Sequence, residues 1–561
     1  MSQSPGAPPR ERHIILIMVG LMTTMLLASL DQTIFSTALP TIVGELDGVS
    51  HMLWITTAYI LAATIMMPIY GKLGDLMGRK NLLLIAIGLF MVGSVVGGMA
   101  QGMTELIVGR AIQGLGGGGL MILSQAIMAE VVPARERGRY VGFMGAVFAV
   151  SSVAGPLLGG WFTESIGWRW CMWINIPLGL LALASAVFFI HLPHRERGPV
   201  RLDISGMALL AIASTALVLF TSWGGNTYDW NSAVIISLIA VTVISAVAFV
   251  LVERRAAEPV MPLSLFKSRN FNLTTAAGLL VGIAMFGALA YMPTYLQMVT
   301  GVSATRAGLL MIPMMGTLLV TAIVSGRAVS RTGKYKWLPV FGAGFVAISL
   351  GLLSTMSAGT AVWITCAFLA IMGLGLGLTM QILVLVVQNS FPITVVGTAT
   401  ASNNYFRQIG ASLGAAVVGS LFTTRLVGLL TDRFTAAGAT GGAGDLNALT
   451  PEAVQQLPDG VQQIIVSSYA DALTPVFLLM VPVAVIALVL LALVREVPLK
   501  TTIDTPEVVA EAMGVEEEHI AEGERSAHEL AMVGAGALDG TTPDAGDGSE
   551  GSVANASRTK R

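Results

Sequence analysis

Charged residues are scarce in this chain. Lysine, arginine, aspartate and glutamate together make up 11% of its 561 residues, whereas soluble domains carry about 25%. This scarcity excludes a soluble globular protein. Hydrophobic residues make up 54% of the chain, and the mean hydropathy is +0.76. The composition therefore indicates an integral membrane protein.

Other absences narrow the class of function. The chain has 2 cysteines, and because Cys171 and Cys366 lie in separate apolar segments, neither a disulfide framework nor a metal site is expected. The sequence contains no nucleotide-binding loop, no cluster of metal ligands and no hydrolytic constellation of residues. We therefore expect neither an enzyme nor an ATP-driven pump, and we predict no cofactor and no nucleic-acid partner.

Long apolar runs recur along the chain. Runs of about 20 residues are long enough to cross roughly 30 Å of hydrocarbon as helices, and the alternating segments of about 10 residues that are typical of membrane barrels are absent. The first run, from Ile14, lacks a cleavage site and exceeds signal-peptide length, so we expect a retained helix. The sequence predicts an all-α polytopic protein with fourteen helices at 14–38, 52–71, 81–100, 105–128, 140–162, 169–190, 203–222, 232–252, 272–298, 305–326, 337–357, 362–388, 397–425 and 472–494.

The basic residues predict the orientation in the membrane. Every second loop is rich in lysine and arginine: Lys72, Arg79 and Lys80; Arg135, Arg137 and Arg139; Arg195, Arg197 and Arg201; Arg254, Arg255, Lys267 and Arg269; Arg327, Arg331, Lys334 and Lys336. The other short loops have only Arg169 and Arg306 at helix edges. Because basic loops remain on the cytoplasmic side, we expect a cell-membrane protein with both termini in the cytoplasm, beginning with a short cytoplasmic segment, 1–13.

An internal repeat suggests two halves. The stretch GKLGDLMGRK at 71–80 recurs in degraded form as GRAVSRTGKY at 326–335, an offset of 255 residues. The same offset carries Gly155 and Gly159 onto Gly410 and Gly414. The repeat divides the chain into a six-helix half, two extra helices and a second six-helix half, at 14–190, 203–252 and 272–494. Parallel repeats with a binding site between them are typical of transporters.

Two segments are predicted to lie outside the helix bundle. Residues 427–470 are rich in alanine and glycine, and we expect an external loop with a helix start at TPEAVQQL, where Thr450 can cap the helix. Residues 499–561 are acidic, glycine-rich and poor in aromatics, which predicts a disordered cytoplasmic tail.

Charged side chains inside the predicted helices are candidates for function. Asp31 lies in the apolar stretch LLASLDQTIFSTALP, where a charge costs at least about 2.5–3.5 kcal/mol at a helix centre. Arg110 and Gln113 share one face of the fourth helix, and Arg110 is the obvious counter-charge, although it can instead have a purely structural role by bonding to backbone carbonyls. Glu105 and Glu130 lie near the ends of that helix, where we expect interfacial positions, with a part in proton movement as the alternative.

The stretch at 71–80 has the residues of a tight turn. Gly71, Gly74 and Gly78 permit close approach of helices, and Asp75 can pair with Arg79 or with a helix end. An ordinary basic loop is the alternative.

Small residues and a proline mark the fifth helix. In SSVAGPLLGG, Gly155 and Gly159 favour close packing, and Pro156 is expected to kink the helix. The following stretch, WRWCMWINIPLG, has the aromatic residues and the arginine that are typical of a membrane interface.

These stretches together resemble the major facilitator superfamily, and in particular its fourteen-helix drug:proton antiporters of the EmrB/QacA type. LDQTIFSTALP, with Asp31 at its acidic position, resembles the first-helix motif of that branch, and GKLGDLMGRK resembles the loop motif of the superfamily. Arg110 and Gly114 match the fourth-helix arginine motif, and Gly155, Pro156 and Gly159 match the antiporter motif. The resemblance extends from about residue 14 to residue 494. The tenth helix lacks the carboxylate of relatives that export divalent cations, which places that activity in doubt.

The resemblance implies a proton-coupled antiporter that exports hydrophobic compounds, lipophilic cations included, by alternating access, with the proton gradient as its energy source and no cofactor. Asp31 would alternate between a proton and a cationic substrate, and Arg110 would modulate its proton affinity. Candidate cavity residues are Asp31, Gln113, Tyr59, Tyr291 and Tyr295, and Arg407, which either lines the cavity or anchors the thirteenth helix. A dedicated exporter of a metabolite, amino acid or lipid-like molecule is one alternative, and a non-transporting membrane sensor or scaffold is another.

Overall fold

The computed structural model describes residues 11–46, 51–192, 202–225, 227–437 and 454–501. Within these residues the apolar segments form helices, because a backbone in lipid must satisfy its hydrogen bonds internally. The helices are α1 (Glu11–Glu45), α2 (Met52–Met77), α3 (Arg79–Gly98), α4 (Met103–Val131), α5 (Ala134–Ser165), α6 (Trp170–Trp173 and Asn175–Phe189), α7 (Ile204–Trp223), α8 (Ala233–Glu253), α9 (Arg269–Leu289 and Met292–Thr300), α10 (Ala304–Leu310 and Ile312–Thr332), α11 (Trp337–Leu353), α12 (Val362–Ser390), α13 (Val396–Ala436) and α14 (Asp459–Ala492).

The helix inventory confirms the predicted fold class. In the described part of the chain, 13 helical segments are long and apolar enough to cross a membrane, and the 17-residue α11 is a shorter apolar helix. The protein is therefore an all-α polytopic membrane protein.

The helices pack as two groups with a separate helix pair. Side chains of α1–α6 form buried hydrophobic clusters of their own, and a large cluster joins α9–α14. Helices α7 and α8 pack against each other, and α7 contacts both groups. Trp223 of α7 meets Trp54 of α2 edge-on, with ring centroids 5.8 Å apart, and Ser214 shares a 2.7 Å hydrogen bond with Tyr405 of α13. We refer to α1–α6 as the N-half and to α9–α14 as the C-half.

The stretch 71–80 is mostly helical, not a loop. Helix α2 continues to Met77, Gly78 alone makes the corner, and α3 begins at Arg79. Gly78 has a φ of 99°, a backbone conformation that side chains with a Cβ rarely adopt. The α12–α13 connection lies beside this corner, where its Ile393 carbonyl accepts from Arg79, and Arg135 at the start of α5 donates to the Arg331 carbonyl near the end of α10. We call this end of the bundle the basic end.

The predicted external loop at 427–470 is shorter in the structure. Helix α13 continues to Ala436 and α14 begins at Asp459. Arg433 of α13 explains the extension, because its Nη1 donates to the hydroxyls of Ser467 and Ser468 and its Nη2 pairs with Asp471 at 2.5 Å. These polar contacts continue the pairing of the two helices beyond their apolar parts. The predicted cap at Thr450, most of the N-terminal segment 1–13 and residues 502–561 of the predicted tail lie outside the described residues.

Helix α1 also extends further than the sequence predicts. The sequence predicts an end at residue 38, before Pro40, whereas the helix continues to Glu45. Glu45 accepts hydrogen bonds from Trp168 Nε1 at 2.9 Å and from Arg169 at 2.5 Å. The Arg169 guanidinium holds the pKa of the Glu45 carboxyl below its usual value. We call this the far end of the bundle, and here Arg169 lies at the helix edge as predicted.

Candidate functional site

A buried ion pair joins α1 to α4 inside the N-half. Arg110 Nη1 donates to Asp31 Oδ2 at 2.5 Å, and both residues are 1% exposed. The sequence predicts this partnership, and the structure brings the two side chains into direct contact. A buried pair is stable only if its remaining donors and acceptors are also satisfied.

Polar side chains from other helices complete the surroundings of Asp31. Its Oδ1 accepts from Gln113 Nε2 at 3.1 Å and from Asn175 Nδ2 at 2.7 Å. Gln113 also donates to Ser94 Oγ at 2.7 Å and accepts from Arg110 Nη1 at 2.8 Å. Side chains of α4 and α6 therefore bond directly to the carboxylate on α1, and Ser94 of α3 bonds to one of these side chains, Gln113. Sequence reasoning missed Ser94 and Asn175, although Asn175 is a polar residue within an apolar stretch and so carried a signal.

Aromatic rings enclose the guanidinium of Arg110. Its Cζ lies 4.3 Å from the ring centroid of Phe35 and 4.4 Å from that of Tyr59, distances at which a cation is attracted to the ring face. Arg110 Nε also donates to the Ile55 carbonyl at 3.3 Å. Tyr59, a predicted cavity residue, is therefore part of the packing around the ion pair. Asp31 and Arg110 are both closed off from solvent in this conformation.

A second charged network occupies the corner between α2 and α3. Arg79 Nη2 pairs with Asp75 Oδ1 at 2.7 Å, and Nη1 pairs with Glu130 Oε2 at 2.9 Å. Arg79 is 3% exposed, so the three charges form a largely buried cluster. Glu130 was expected at an interface, and its pairing with Arg79 escaped sequence reasoning. Glu105, at the other end of α4, is exposed and accepts from the Gln101 backbone N–H.

The Asp75–Arg79 network also connects the two halves. Asp75 Oδ2 accepts from the backbone N–H of Thr398 at 2.7 Å and from its hydroxyl at 2.8 Å, and Oδ1 accepts from the Gly397 N–H at 3.2 Å. These donors form the first turn of α13, where unpaired N–H groups and the helix dipole favour a carboxylate. Arg79 Nη2 donates to the Ile393 carbonyl at 2.8 Å. Both of the pairings that the sequence offers for Asp75 therefore occur together.

Glycines bring the halves close together at the basic end, in two symmetric places. A Cβ on Gly71 would lie 2.9 Å from the Gly397 carbonyl oxygen, and a Cβ on Gly326 would lie 3.3 Å from Gly142 Cα. The repeat offset of 255 residues relates Gly71 to Gly326 and also Gly142 to Gly397. The two contacts are therefore copies of each other, and we call them the seams. The glycine Gly74 of the same motif packs within the N-half, against Leu123.

The predicted antiporter motif packs α5 onto α1. A Cβ on Gly155 would lie 2.1 Å from Thr33 Oγ1, and one on Gly159 would lie 2.3 Å from the Ile34 carbonyl. Thr37 Oγ1 donates to the Pro156 carbonyl at 3.2 Å, and α5 continues through Pro156 to Ser165. Close packing of two helices is therefore the visible role of this motif.

The repeat partners of these glycines do the same in the C-half. Cβ atoms on Gly410 and Gly414 of α13 would lie 2.1 Å and 2.2 Å from the carbonyl oxygens of Leu279 and Ile283 in α9. The structural repeat thus extends to the helices that the motif joins.

The remaining predicted cavity residues lie in the C-half, away from Asp31. Tyr295 is 2% exposed within the C-half core, and its hydroxyl donates to the Ser357 carbonyl at 3.5 Å. The Tyr291 hydroxyl donates to the Ala415 carbonyl at 3.2 Å. Arg407 is half-buried on α13, and its Nη2 donates to Asn404 Oδ1 at 2.5 Å. The structure therefore groups Asp31, Arg110, Gln113 and Tyr59, and places the other three elsewhere.

Known proteins resemble this chain over most of its length. A family model described as the Major Facilitator Superfamily matches residues 21–415. An uncharacterized MFS-type transporter of Mycobacterium tuberculosis is 42% identical over 512 residues, which cover 91% of this chain and 73% of the relative. The multidrug transporter protein MdtP of Bacillus subtilis is 36% identical over 485 residues, 82% of this chain and 89% of MdtP.

A solved structure shares the fold. The proton:xylose symporter XylE superposes with a TM-score of 0.56 over 86% of this chain and 96% of XylE, at 15% sequence identity. The family model and the relatives are those of transporters, not of enzymes, and the relatives include multidrug transporters. With its helix bundle and its motifs in the expected order, the chain belongs to the major facilitator superfamily.

Proposed function

We propose that the protein is a proton-coupled antiporter that exports hydrophobic compounds by alternating access. The observation that carries this proposal is the Asp31–Arg110 ion pair, which is 1% exposed at both residues and lies within an apolar bundle. A charge inside the membrane is expensive, so its presence points to a function, and a carboxylate is a group that can bind and release a proton. The name of the relative MdtP supports a multidrug substrate range.

The proton at Asp31 is linked to conformation through its partners. When Asp31 takes up a proton, it loses its charge and leaves Arg110 without a counter-ion in a poorly polar environment. This imbalance favours a different packing of α1 against α4. Proton binding then stabilises whichever conformation binds the proton more tightly. Gln113 and Asn175 orient the carboxylate, and both can also hydrogen-bond its neutral form. Proton uptake and helix movement are thereby coupled without a cofactor.

The contacts at the basic end hold one of the alternating states. Asp75 bonds to the first turn of α13, and the seam glycines allow the halves to touch. We assign the basic end and both termini to the cytoplasm of a cell-membrane protein, because its loops carry the lysines and arginines. In this conformation the halves are joined on the proposed cytoplasmic side, and opening toward the cytoplasm requires these contacts to break.

Replacement of Asp31 tests the proposal. Reconstituted Asp31→Asn protein should lose transport driven by a pH gradient while it still reaches the membrane, since asparagine cannot carry the proton. The probe is a compound selected because it releases protons from the purified wild-type protein. The matched control is Asp471→Asn, which removes an exposed carboxylate paired with Arg433 and should transport normally. A wild-type rate of pH-driven transport by Asp31→Asn would show that Asp31 does not couple protons.

A further inference from the structure

One charge in the membrane-spanning part of the C-half has no opposite charge beside it. Arg407 forms no ion pair with any described residue, and the structure gives its guanidinium one hydrogen bond, from Nη2 to Asn404 Oδ1. Asp31, by contrast, is fully engaged with Arg110, Gln113 and Asn175. A guanidinium has five N–H donors and cannot lose its charge. Arg407 therefore retains donors and an uncompensated positive charge.

The face of α13 that carries Arg407 packs against helices of both halves. Asn403 Nδ2 donates to Thr275 Oγ1 of α9 at 3.1 Å, and Asn404 Nδ2 donates to Gln125 Oε1 of α4 at 3.1 Å. With about 100° of rotation per residue, position 407 lies between the directions of Asn403 and Asn404. Arg407 thus lies between a helix of its own half and a helix of the other half.

The depth of Arg407 places it near the middle of the bilayer. Eleven residues separate it from Val396, where α13 begins at the basic end, which corresponds to about 16 Å along the helix axis. The hydrocarbon is roughly 30 Å thick, so the guanidinium lies far from both headgroup regions. Arg407 as a whole residue nevertheless remains half-buried.

A second donor on the same face also lacks a partner. Thr400 is 0% exposed, and its hydroxyl has no hydrogen-bond partner. Seven residues separate it from Arg407, nearly two helical turns, so both side chains leave α13 in almost the same direction. The Thr400 hydroxyl can donate or accept, so the preference for an acceptor-rich ligand group rests on the arginine, whose guanidinium has donors only.

We propose that Arg407 binds the anionic group of the transported compound, so that the substrates are lipophilic organic anions such as carboxylates. The inference rests on the proposed transport function and names its substrate class. The planar fork of a guanidinium matches a carboxylate with two parallel hydrogen bonds. A cationic substrate, in contrast, meets the uncompensated charge of Arg407 and has to displace Arg110 in order to reach Asp31.

Ligands of matched shape and different charge test the inference. The probes are 4-phenylbutyrate, its neutral amide and 4-phenylbutylamine, titrated into the full-length protein in nanodiscs. We expect wild-type protein to bind the carboxylate at least about tenfold more tightly than the amide, and the amine most weakly. Equal affinities, tighter binding of the amine or no binding of the carboxylate would overturn the inference without any variant.

Substitutions then assign the preference to the residue. Arg407→Gln should reduce carboxylate affinity to that of the amide and leave the amide affinity unchanged, which also shows that the variant is folded. Arg407→Lys retains the charge but loses the fork, and should keep part of the preference. Arg433→Gln, at an exposed ion pair, should match wild type. A full carboxylate preference in Arg407→Gln would refute the assignment. If Arg407→Gln does not fold, an unchanged carboxylate preference in Arg407→Lys would refute it instead.

The same assays separate this inference from the proposed proton coupling. Asp31→Asn should retain the preference for 4-phenylbutyrate over its amide, although it loses pH-driven transport. The preference is the readout here, because Asp31 is coupled to conformation and its replacement shifts both affinities together. Normal pH-driven transport by Asp31→Asn, together with lost carboxylate preference in Arg407→Gln, would refute proton coupling at Asp31 and support the anion site. The opposite pair of results would support proton coupling and refute the anion site.

Discussion

At the scale of single residues, the partners of a membrane charge determine what it can do. Asp31 has a cation and two amide donors within hydrogen-bond distance, so its charge is balanced in the observed conformation. Arg407 has a single amide oxygen. The proposed proton coupling at Asp31 and the proposed anion binding at Arg407 both rest on this difference.

The Asp31–Arg110 pair should show strong energetic coupling. Arg110→Gln leaves a buried carboxylate without its counter-ion and should destabilise the protein by roughly 3–5 kcal/mol. The double variant Asp31→Asn with Arg110→Gln removes both charges and should unfold at a higher temperature than Arg110→Gln alone. Thermal unfolding of the purified proteins measures this, with Arg433→Gln, at a half-buried arginine outside this pair, as control. Additive effects of the two substitutions would argue against a direct interaction.

At the scale of helices, the corner between α2 and α3 is hydrogen-bonded to the first turn of α13. The carboxylate of Asp75 replaces the missing hydrogen-bond acceptors of that helix end and also pairs with Arg79 on its own side. One residue thereby joins an ion pair in the N-half to a helix dipole in the C-half. Helix α7 adds another connection, since it contacts α2 through Trp54 and α13 through Tyr405.

Removal of the charge at this corner should affect turnover more than binding. Asp75→Asn retains an acceptor oxygen but weakens the contact with the α13 dipole, and the joined state should become less populated. We expect a lower transport rate with a nearly unchanged substrate affinity. Rate and affinity are measured separately on reconstituted protein, with Asp432→Asn, an exposed acid further along α13, as control. Unchanged turnover with weakened binding would instead place Asp75 at the ligand.

At the scale of the whole molecule, the two seams are the places where the halves meet by symmetry. In one seam Gly71 meets Gly397, and in the other Gly326 meets Gly142. The repeat offset of 255 residues relates Gly71 to Gly326 and Gly142 to Gly397. Such backbone contacts can form and separate without side-chain rearrangement. They therefore suit halves that approach and part during each transport cycle.

A side chain at one seam should prevent the halves from closing. A Cβ on Gly326 would lie 2.1 Å from the Gly138 carbonyl oxygen, whereas a Cβ on Gly351 would meet nothing within 4 Å. Gly326→Val should therefore stop transport and leave the basic end open to thiol reagents, and Gly351→Val should do neither. Labelling of a cysteine introduced at Ala322, beside the seam, reports the opening. Normal transport by Gly326→Val would mean that closure at this seam is not required.

The sequence by itself determined the class of the protein, and it predicts fourteen helices and a two-fold repeat. Apolar runs of the right length and an offset shared by two motifs are local or periodic signals, and the structure follows them. The partnership of Asp31 with Arg110 was also readable, because few charges occur inside the membrane and each needs an opposite charge. Helix ends were less predictable, because tertiary contacts such as the one between Arg433 and Asp471 extend helices beyond their apolar parts.

Only the tertiary structure decided which helices bring their polar groups together. Asn175 reaches Asp31 across 144 positions, and Asp75 reaches Thr398 across 323 positions. Such contacts depend on the rotation of each helix about its axis and on which helices are neighbours, and neither is encoded in a local pattern. The absence of a carboxylate beside Arg407, among the residues that the structure describes, is of the same kind, because a missing partner is visible only when all neighbours are in place.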